Sequence, residues 1–332
     1  MDKKLSQAIK ITLSVAMAAA LLWLSFREVH WGDFAEGMVL CKWHYVILGI
    51  GLGAMALWLR GQRWRELLLP IDPETSRLTT FNAVCISYVV NMIVPRGGEL
   101  LRGGIISRHS SRDHIGYKKA SYDKALGTVV VERIWDTVVL ITIAAAFVLV
   151  AKSTWSGFLE EKLGSVKLPS LQILLVLAIV AAFLLYLCKI WWKTNSIAGR
   201  IWRFVTGVFS GVRDSLKMKQ WWKFLLYTAF IWLCYWGVSY AIILALADSI
   251  PGFAQMNATD ALFLMIVGSI ASVVPVPGGF GAFHYMTATS LMALYGIPME
   301  QGLVFAVLSH ESQTLMQLVC GAGSYISETV RK

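Results

Sequence analysis

Charge is scarce in this chain. Only 15% of its 332 residues are Asp, Glu, Lys or Arg, and 57% are hydrophobic. A soluble domain carries about 25% charged residues, so the shortage excludes an ordinary water-soluble fold. Proline is sparse too, with eight in the whole chain, which makes the places it occupies informative. The five cysteines are Cys41, Cys85, Cys188, Cys234 and Cys320; none forms a CxxC pair and most lie in apolar segments. They read as buried reduced thiols, not as a disulfide framework. No glycine-rich stretch has the lysine and strand context of a nucleotide loop. His310-Glu311 is too little for a metal set by spacing alone, and no Ser-His-Asp or GxSxG pattern stands out. No metal or cofactor is therefore expected. Nucleic-acid motifs are also missing, so the net charge of +10 is assigned to cytoplasmic loops and anionic lipid headgroups.

What the chain does have is long apolar runs. Candidate spans fall at roughly 8–26, 43–59, 124–151, 171–191, 224–248 and 301–326. Each supplies about 20 residues, enough to cross a bilayer core. Trp23, Trp43, Trp58, Trp191, Trp192, Trp221 and Trp222 sit near their ends, where interfacial tryptophans belong. The first run follows Lys3, Lys4 and Lys10 and ends at Phe26-Arg27-Glu28 without a small-residue cleavage pattern. It reads as a retained first span, not a removed signal peptide.

Three of the eight prolines fall in two matching interruptions: Val94-Pro95-Arg96-Gly97-Gly98-Glu99 and Val274-Pro275-Val276-Pro277-Gly278-Gly279-Phe280-Gly281. Each runs from an apolar helix through Pro and Gly-Gly to a new helix start. Breaks at membrane depth are costly unless protein or water satisfies the freed backbone groups. Charge assigns their direction. Stretches 60–77 (Arg60, Arg63, Arg65, Arg77), 96–124 (Arg96, Arg102, Arg108, Arg112, Lys118, Lys119, Lys124) and 192–223 are basic and are expected in the cytoplasm. So are both chain termini. A full crossing by 78–95 would leave a basic loop outside, so 78–110 reads as a re-entrant hairpin from the cytoplasm. Segment 261–296 is flanked by Asp248, Asp260 and Glu300 and reads as a hairpin from the other side. The loop 152–170 is nearly balanced in charge.

The expected fold class is thus all-α and polytopic, one integral membrane domain over 1–332, with about six full spans and two oppositely oriented re-entrant hairpins. Unit one, about 43–151, and unit two, about 224–326, form an inverted repeat with a site at the midplane. Two ordinary Pro-kinked helical pairs are the alternative. Between the units, Ile197, Ile201, Phe204, Val205, Val208, Val212 and Leu216 recur at helical spacing over 195–216. This is either an amphipathic helix in the cytoplasmic interface or a packed linker helix.

The candidate site follows from the breaks. Gly97-Gly98 and Gly278-Gly279 permit sharp turns and close approach to a ligand. The helix after each pair offers N–H groups and a positive dipole end to an anion. Arg96 and Arg102 add charge whose planar fork suits phosphate, although Arg102, like Arg108, also reads as a topology charge. Glu99 is a helix-start carboxylate or a partner for an arginine. Glu132 and Asp136 lie at i and i+4 inside a span, with Arg133 adjacent; intramembrane charges are paired and functional by default. His310 and Glu311 are their counterparts in unit two, and a His beside a Glu makes proton coupling conceivable. Asn91 and His284 near the tips are further polar candidates. Pro95, Pro275, Pro277 and Gly281 complete the two tips.

The ordered set of motifs resembles the transmembrane region of lysylphosphatidylglycerol synthases, a flippase-like family. Asn91-Met-Ile-Val-Pro95-Arg-Gly-Gly-Glu99-Leu-Leu-Arg102 looks like its first signature, Val130-Val131-Glu132-Arg133-Ile-Trp-Asp136 its second, and Val274-Pro275-Val-Pro277-Gly278-Gly279-Phe-Gly281 its third. The family's membrane part is associated with moving lipids between leaflets, and a fused soluble part, where present, makes aminoacylated lipid. This chain ends at Lys332 just after its last span, so the resemblance implies lipid translocation or binding without lysyl transfer. Two places depart from the family pattern. An acidic residue often follows the third motif, where this chain has Ala282-Phe283-His284. A Tyr-Arg pair often lies in the last span, where it has Ser309-His310-Glu311-Ser312.

Read together, the residues point to a lipid flippase-like transporter of a bacterial-type cytoplasmic (inner) membrane. It would take an anionic phospholipid or polyprenyl-phosphate lipid, with a lipid-modifying enzyme as a possible partner and no nucleic acid. A membrane enzyme acting on a lipid phosphate, or a non-transporting lipid-presenting subunit, are the alternatives.

Overall fold

In the computed structural model, residues 3–27, 29–112, 120–163 and 196–330 are described. Every element among them is helical. In chain order these are α1 Lys3–Phe26, α2 Trp31–Val39, α3 Trp43–Leu68, α4 Arg77–Ile93, α5 Gly97–Arg112, α6 Tyr122–Leu163, α7 Ser196–Ser215, α8 Trp221–Leu246, α9 Pro251–Ala254, α10 Ala258–Ala271, α11 Ala282–Tyr295 and α12 Met299–Val330, with a 3-10 turn at Pro277–Gly279 before α11. Among the described residues, α3 and α8 are long and apolar enough to cross a membrane. The expected span 171–191 lies outside the described residues, as do Lys118, Lys119 and Lys193.

The distribution of side chains is that of a protein dissolved in lipid. Ile47, Leu48, Leu233, Ile141, Leu318 and Val319 are exposed, whereas Arg60, Arg63, Arg102 and Glu132 are buried. A water-soluble fold does the reverse, since buried charge is costly and exposed apolar patches are small.

Helices α3 and α8 cross along much of their length and run antiparallel. The Lys42 amide donates to the Ala245 carbonyl at one end, and Arg63 donates to the Thr228 hydroxyl at the other. Gly49 faces Ile242 and Ala241 across this contact. Helix α12 lies beside α4, with Asn82 donating to Ser327 and Glu328. The two largest hydrophobic cores among the described residues follow from these contacts. One joins Val46, Ile242, Leu246, Phe253, Leu291 and Phe305; the other joins Trp64, Leu67, Val84, Ile106, Val129 and Phe224.

Both interruptions are present as helix–break–helix. At the first, Val94 leaves the helix with φ −120°, ψ 109°, as the residue before a proline must to avoid its ring. Arg96 then takes a left-handed φ of 61°, a conformation that costs an L-residue roughly 1–2 kcal/mol, and α5 starts at once. A Cβ on Gly98 would run into the Ser87 carbonyl oxygen, so α4 and α5 can touch only through glycine. At the second, Val276 is extended before Pro277, and Gly278, Gly279 and Gly281 all have positive φ (60°, 84° and 79°). A Cβ on Gly281 would come 2.7 Å from the Ala18 carbonyl oxygen of α1.

Three boundaries differ from the sequence reading. Helix α3 continues through Leu68, taking in Arg60 and Arg63, which were expected in a cytoplasmic loop; their charges are neutralised by buried partners described below. Helix α6 continues to Leu163, through the expected loop start at 152, because no proline stands between Tyr122 and Pro169. Helix α2 was not expected. Its Phe34 and Met38 rest against the first core, so a short amphipathic turn is stabilised by tertiary burial. Helix α7 leans on the start of α6 through Gly127, Gly207 and Gly211, small residues that admit close backbone approach, while Phe204, Phe209 and Leu216 stay exposed.

Candidate functional site

Glu99, Arg102, Glu132, Arg133 and Asp136 form one cluster with Arg60 and Arg63. Glu132, 0% exposed, is its centre. Its Oε1 accepts from Arg60 at 3.0 Å, Arg63 at 3.3 Å and Arg133 at 3.0 Å, and its Oε2 lies 2.8 Å from Arg102. One helical turn on, Asp136 meets Arg63 at 2.7 Å and Arg60 at 3.2 Å. Glu99 of α5 reaches Arg133 at 3.5 Å. The i, i+4 spacing of Glu132 and Asp136 aims both carboxylates at α3, whose Arg60 and Arg63 at i, i+3 meet them. The fork of Arg60 also donates to the Tyr235 hydroxyl at 2.9 Å. Trp64 stacks beneath Arg102, 4.7 Å from ring centre to guanidinium, and fixes its own indole N–H on Thr128 at 2.8 Å.

This cluster opens onto a cavity of about 710 Å³ between the two breaks. Asn91, Pro95, Arg96, Glu99, Arg102, Arg133 and Asp136 line it from unit one; Pro275, Gly278, Gly279 and His310 line it from unit two. The breaks also touch directly, since Arg96 donates to the Val273 carbonyl at 3.4 Å. Arg102 is 2% exposed and held by Glu132 and Trp64. Arg133 is different: its side chain is 41% exposed at the cavity edge.

Not every candidate behaves as the sequence implied. The N–H groups at the first tip were expected to be free for an anion. Instead Gly98 N–H donates to the Asn91 side-chain oxygen at 2.8 Å and Gly97 N–H to the Val94 carbonyl at 2.9 Å. Asn91 is thus a cap for α5, in the manner of side-chain oxygens at helix starts. At the second tip, Gly279 and Phe280 N–H donate to Val276 and Pro277 carbonyls. Gly97, Gly98, Pro277 and Gly281 shape the breaks and do not line the cavity.

His284, His310 and Glu311 come together behind the second break. His310 Nδ1 lies 2.9 Å and His284 Nε2 3.3 Å from the same Glu311 oxygen, and His310 Nε2 is 3.0 Å from the Gly278 carbonyl. The segment after the second break and the middle of α12 are therefore in contact with each other. The geometry also parallels unit one: Glu99, just past the first break, meets Arg133 of the following helix, and His284, just past the second, meets Glu311 of the following helix.

Sequence reasoning missed Arg60, Arg63, Tyr235 and Gln313. Gln313 lines the cavity and donates to the Gly49 carbonyl at 3.0 Å. A signal for the arginines existed: Gly53, Ala56, Arg60, Arg63 and Leu67 continue a single buried stripe of α3 at helical spacing.

Comparison with curated proteins and with solved structures found no match. Comparison with protein families matched the lysylphosphatidylglycerol synthase TM region over residues 9–321. That match spans both breaks, the charge cluster and the histidines, and the chain belongs to the lysylphosphatidylglycerol synthase transmembrane-region family.

Proposed function

We propose that this protein binds a lipid with an anionic, phosphate-bearing headgroup in the cavity between its two breaks and moves it between leaflets of the cytoplasmic membrane. One observation carries the reading. The cavity is lined by Arg60, Arg96, Arg102 and Arg133 against Glu99 and Asp136, with Glu132 and Arg63 buried behind them and Arg133 half exposed at its edge. A surplus of guanidinium charge beside an apolar chamber suits a phosphate whose acyl chains remain in lipid. The apolar part is supplied by Leu140, Trp232, Leu264 and Met265.

In this reading 78–110 and 261–296 are re-entrant hairpins from opposite faces, 43–151 and 224–326 are inverted units, and both chain termini are cytoplasmic. The antiparallel crossing of α3 and α8 supports it, as does the matched contact of each post-break helix with the polar centre of the next helix. Movement would be a rocking of one unit against the other around the fixed cavity. A lipid-modifying enzyme that supplies or consumes the same lipid is the natural partner.

The test is vesicle reconstitution with headgroup-labelled phospholipids and polyprenyl phosphates. Protein-dependent exposure of label to an impermeant quencher is expected, and its loss in Arg133→Ala. Movement no faster than in protein-free vesicles across that panel would contradict the proposal.

A second reading, a membrane enzyme acting on the lipid phosphate, draws on the convergence of two imidazoles and a carboxylate at His284, His310 and Glu311, which supply groups for acid–base work. Chemical change of the labelled lipid, read by mass spectrometry in the same vesicles, separates it from movement alone.

A further inference from the structure

We propose that His284, His310 and Glu311 form a binding site for one divalent transition-metal ion of the zinc class, with an open coordination position toward the cavity. The three candidate ligand atoms, one from each residue, lie within 4.8 Å of one another. Metal–ligand bonds of about 2.0–2.1 Å in a tetrahedron put neighbouring ligand atoms about 3.3 Å apart. His284 Nε2 stands 3.3 Å and His310 Nδ1 2.9 Å from the Glu311 oxygen, so an ion requires only small side-chain shifts.

The donor count points the same way. A backbone carbonyl only accepts, so His310 Nε2, 3.0 Å from Gly278 O, carries a hydrogen. In a neutral ring Nδ1 then holds a lone pair, and it faces a carboxylate at 2.9 Å. Such a contact needs a positive centre between the two atoms, which either a second ring proton or a bound ion supplies. An ion satisfies this contact and takes up the His284 nitrogen beside it. It also leaves the Nε2–H bond to a carbonyl, the outer contact that orients metal-binding histidines and fixes their tautomer. The left-handed φ of Gly278 holds that carbonyl in place, so the second break positions a ligand as well as interrupting a helix.

The surroundings fit. His284 is 2% exposed, and its Nδ1 has no hydrogen-bond partner, so no second bond locks the ring against adjusting onto an ion. Phe26, Phe280 and Phe283 pack against the two imidazoles, and Glu311, 36% exposed, is the open side of the site. Two imidazoles and one carboxylate are ligands that zinc accepts, and three protein ligands leave a position for an exogenous oxygen. His310 lines the cavity. If the lipid reading holds, that oxygen belongs to the headgroup; metal binding itself does not depend on that reading.

The test uses the full chain in detergent or nanodiscs, stripped with chelator and free of added lipid. Zn2+ is titrated by calorimetry and Co2+ by its visible absorption. The expected result is one ion per chain and the intense bands of a tetrahedral cobalt site. Affinity should fall by about tenfold or more in His310→Ala and in the more conservative Glu311→Gln. Affinity should be unchanged in His109→Ala, a histidine outside the site that pairs with Glu328. Absence of stoichiometric binding and cobalt bands in the unmodified chain overturns the proposal without recourse to any variant. Unchanged binding in monodisperse His310→Ala and Glu311→Gln overturns it too, showing an adventitious ion only. Neither failure touches lipid movement, which the vesicle assay reads separately.

Discussion

Replacing Glu132 by Gln keeps the shape of the side chain and one acceptor oxygen but removes the charge at the centre of the cluster. Four guanidiniums lie within 3.3 Å of this carboxylate. Asp136 and Glu99 remain, and they serve Arg60, Arg63 and Arg133. Arg102 is left worst, because it is 2% exposed and Glu132 is its ion-pair partner among the described residues, with the Trp64 ring packed on it. Removing one member of a buried ion pair costs about 3–5 kcal/mol, mostly from the charge left behind. For a protein of this size that corresponds to a fall in melting temperature on the order of 10 °C. The assay is thermal unfolding of detergent-solubilised protein followed by size-exclusion chromatography at pH 7. Arg102→Met in the Glu132→Gln background should recover part of the loss, since it removes the stranded charge. A Glu132→Gln protein that melts with the parent would refute the reading of Glu132 as the anion that holds α3, α5 and α6 together.

Gly98→Ala should destabilise by about 1–3 kcal/mol, the usual cost of overpacking, because its Cβ meets the Ser87 carbonyl; the same melting assay reads it. Asn91→Ala should cost about 1 kcal/mol through the lost cap on Gly98 N–H, with Asn91→Asp retaining most of the stability. The hydrogen bond from Lys217 and the nearby charge of Lys124 hold the Asp214 carboxyl below the ordinary range. A depressed carboxylate stabilises above its unfolded value of about 3.9 and loses that contribution as pH falls through the folded one. Asp214→Asn should therefore cost up to about 1 kcal/mol at pH 7 and nothing once the medium is more acidic than the folded value; melting curves across pH 3–7 check the sign, with roughly pH 4 as the top of the window.

Much of the architecture was legible because it is written locally. Pro95 dictates where α4 stops, Pro275 and Pro277 mark the second break just after α10, and Glu132 with Asp136 shows its shared face within five residues. The failures are non-local. Arg60 and Arg63 stand near the end of an apolar run and look like topology charges; what makes them buried partners is a carboxylate on α6, far along the chain. His284 and Glu311 are likewise separated by most of α11 and about the first third of α12, and nothing in their spacing announces a shared contact. The tip N–H groups looked free because capping by Asn91 and by preceding carbonyls depends on how tightly each break folds back. Helix α2 depends on burial against α12, which its own short sequence does not reveal.

The most direct measurement on the headgroup cavity is photo-crosslinking in native-like vesicles with a phosphate lipid whose headgroup carries the reactive group, followed by peptide mapping. Label on Asn91–Glu99, Arg133–Leu140, Ser269–Gly279 and His310–Gln317, the segments that wall the cavity, is the expected result, reduced in Arg133→Ala. Label confined to the outer apolar faces at Ile47, Ile141 and Leu318, with the cavity segments unmarked, would contradict it.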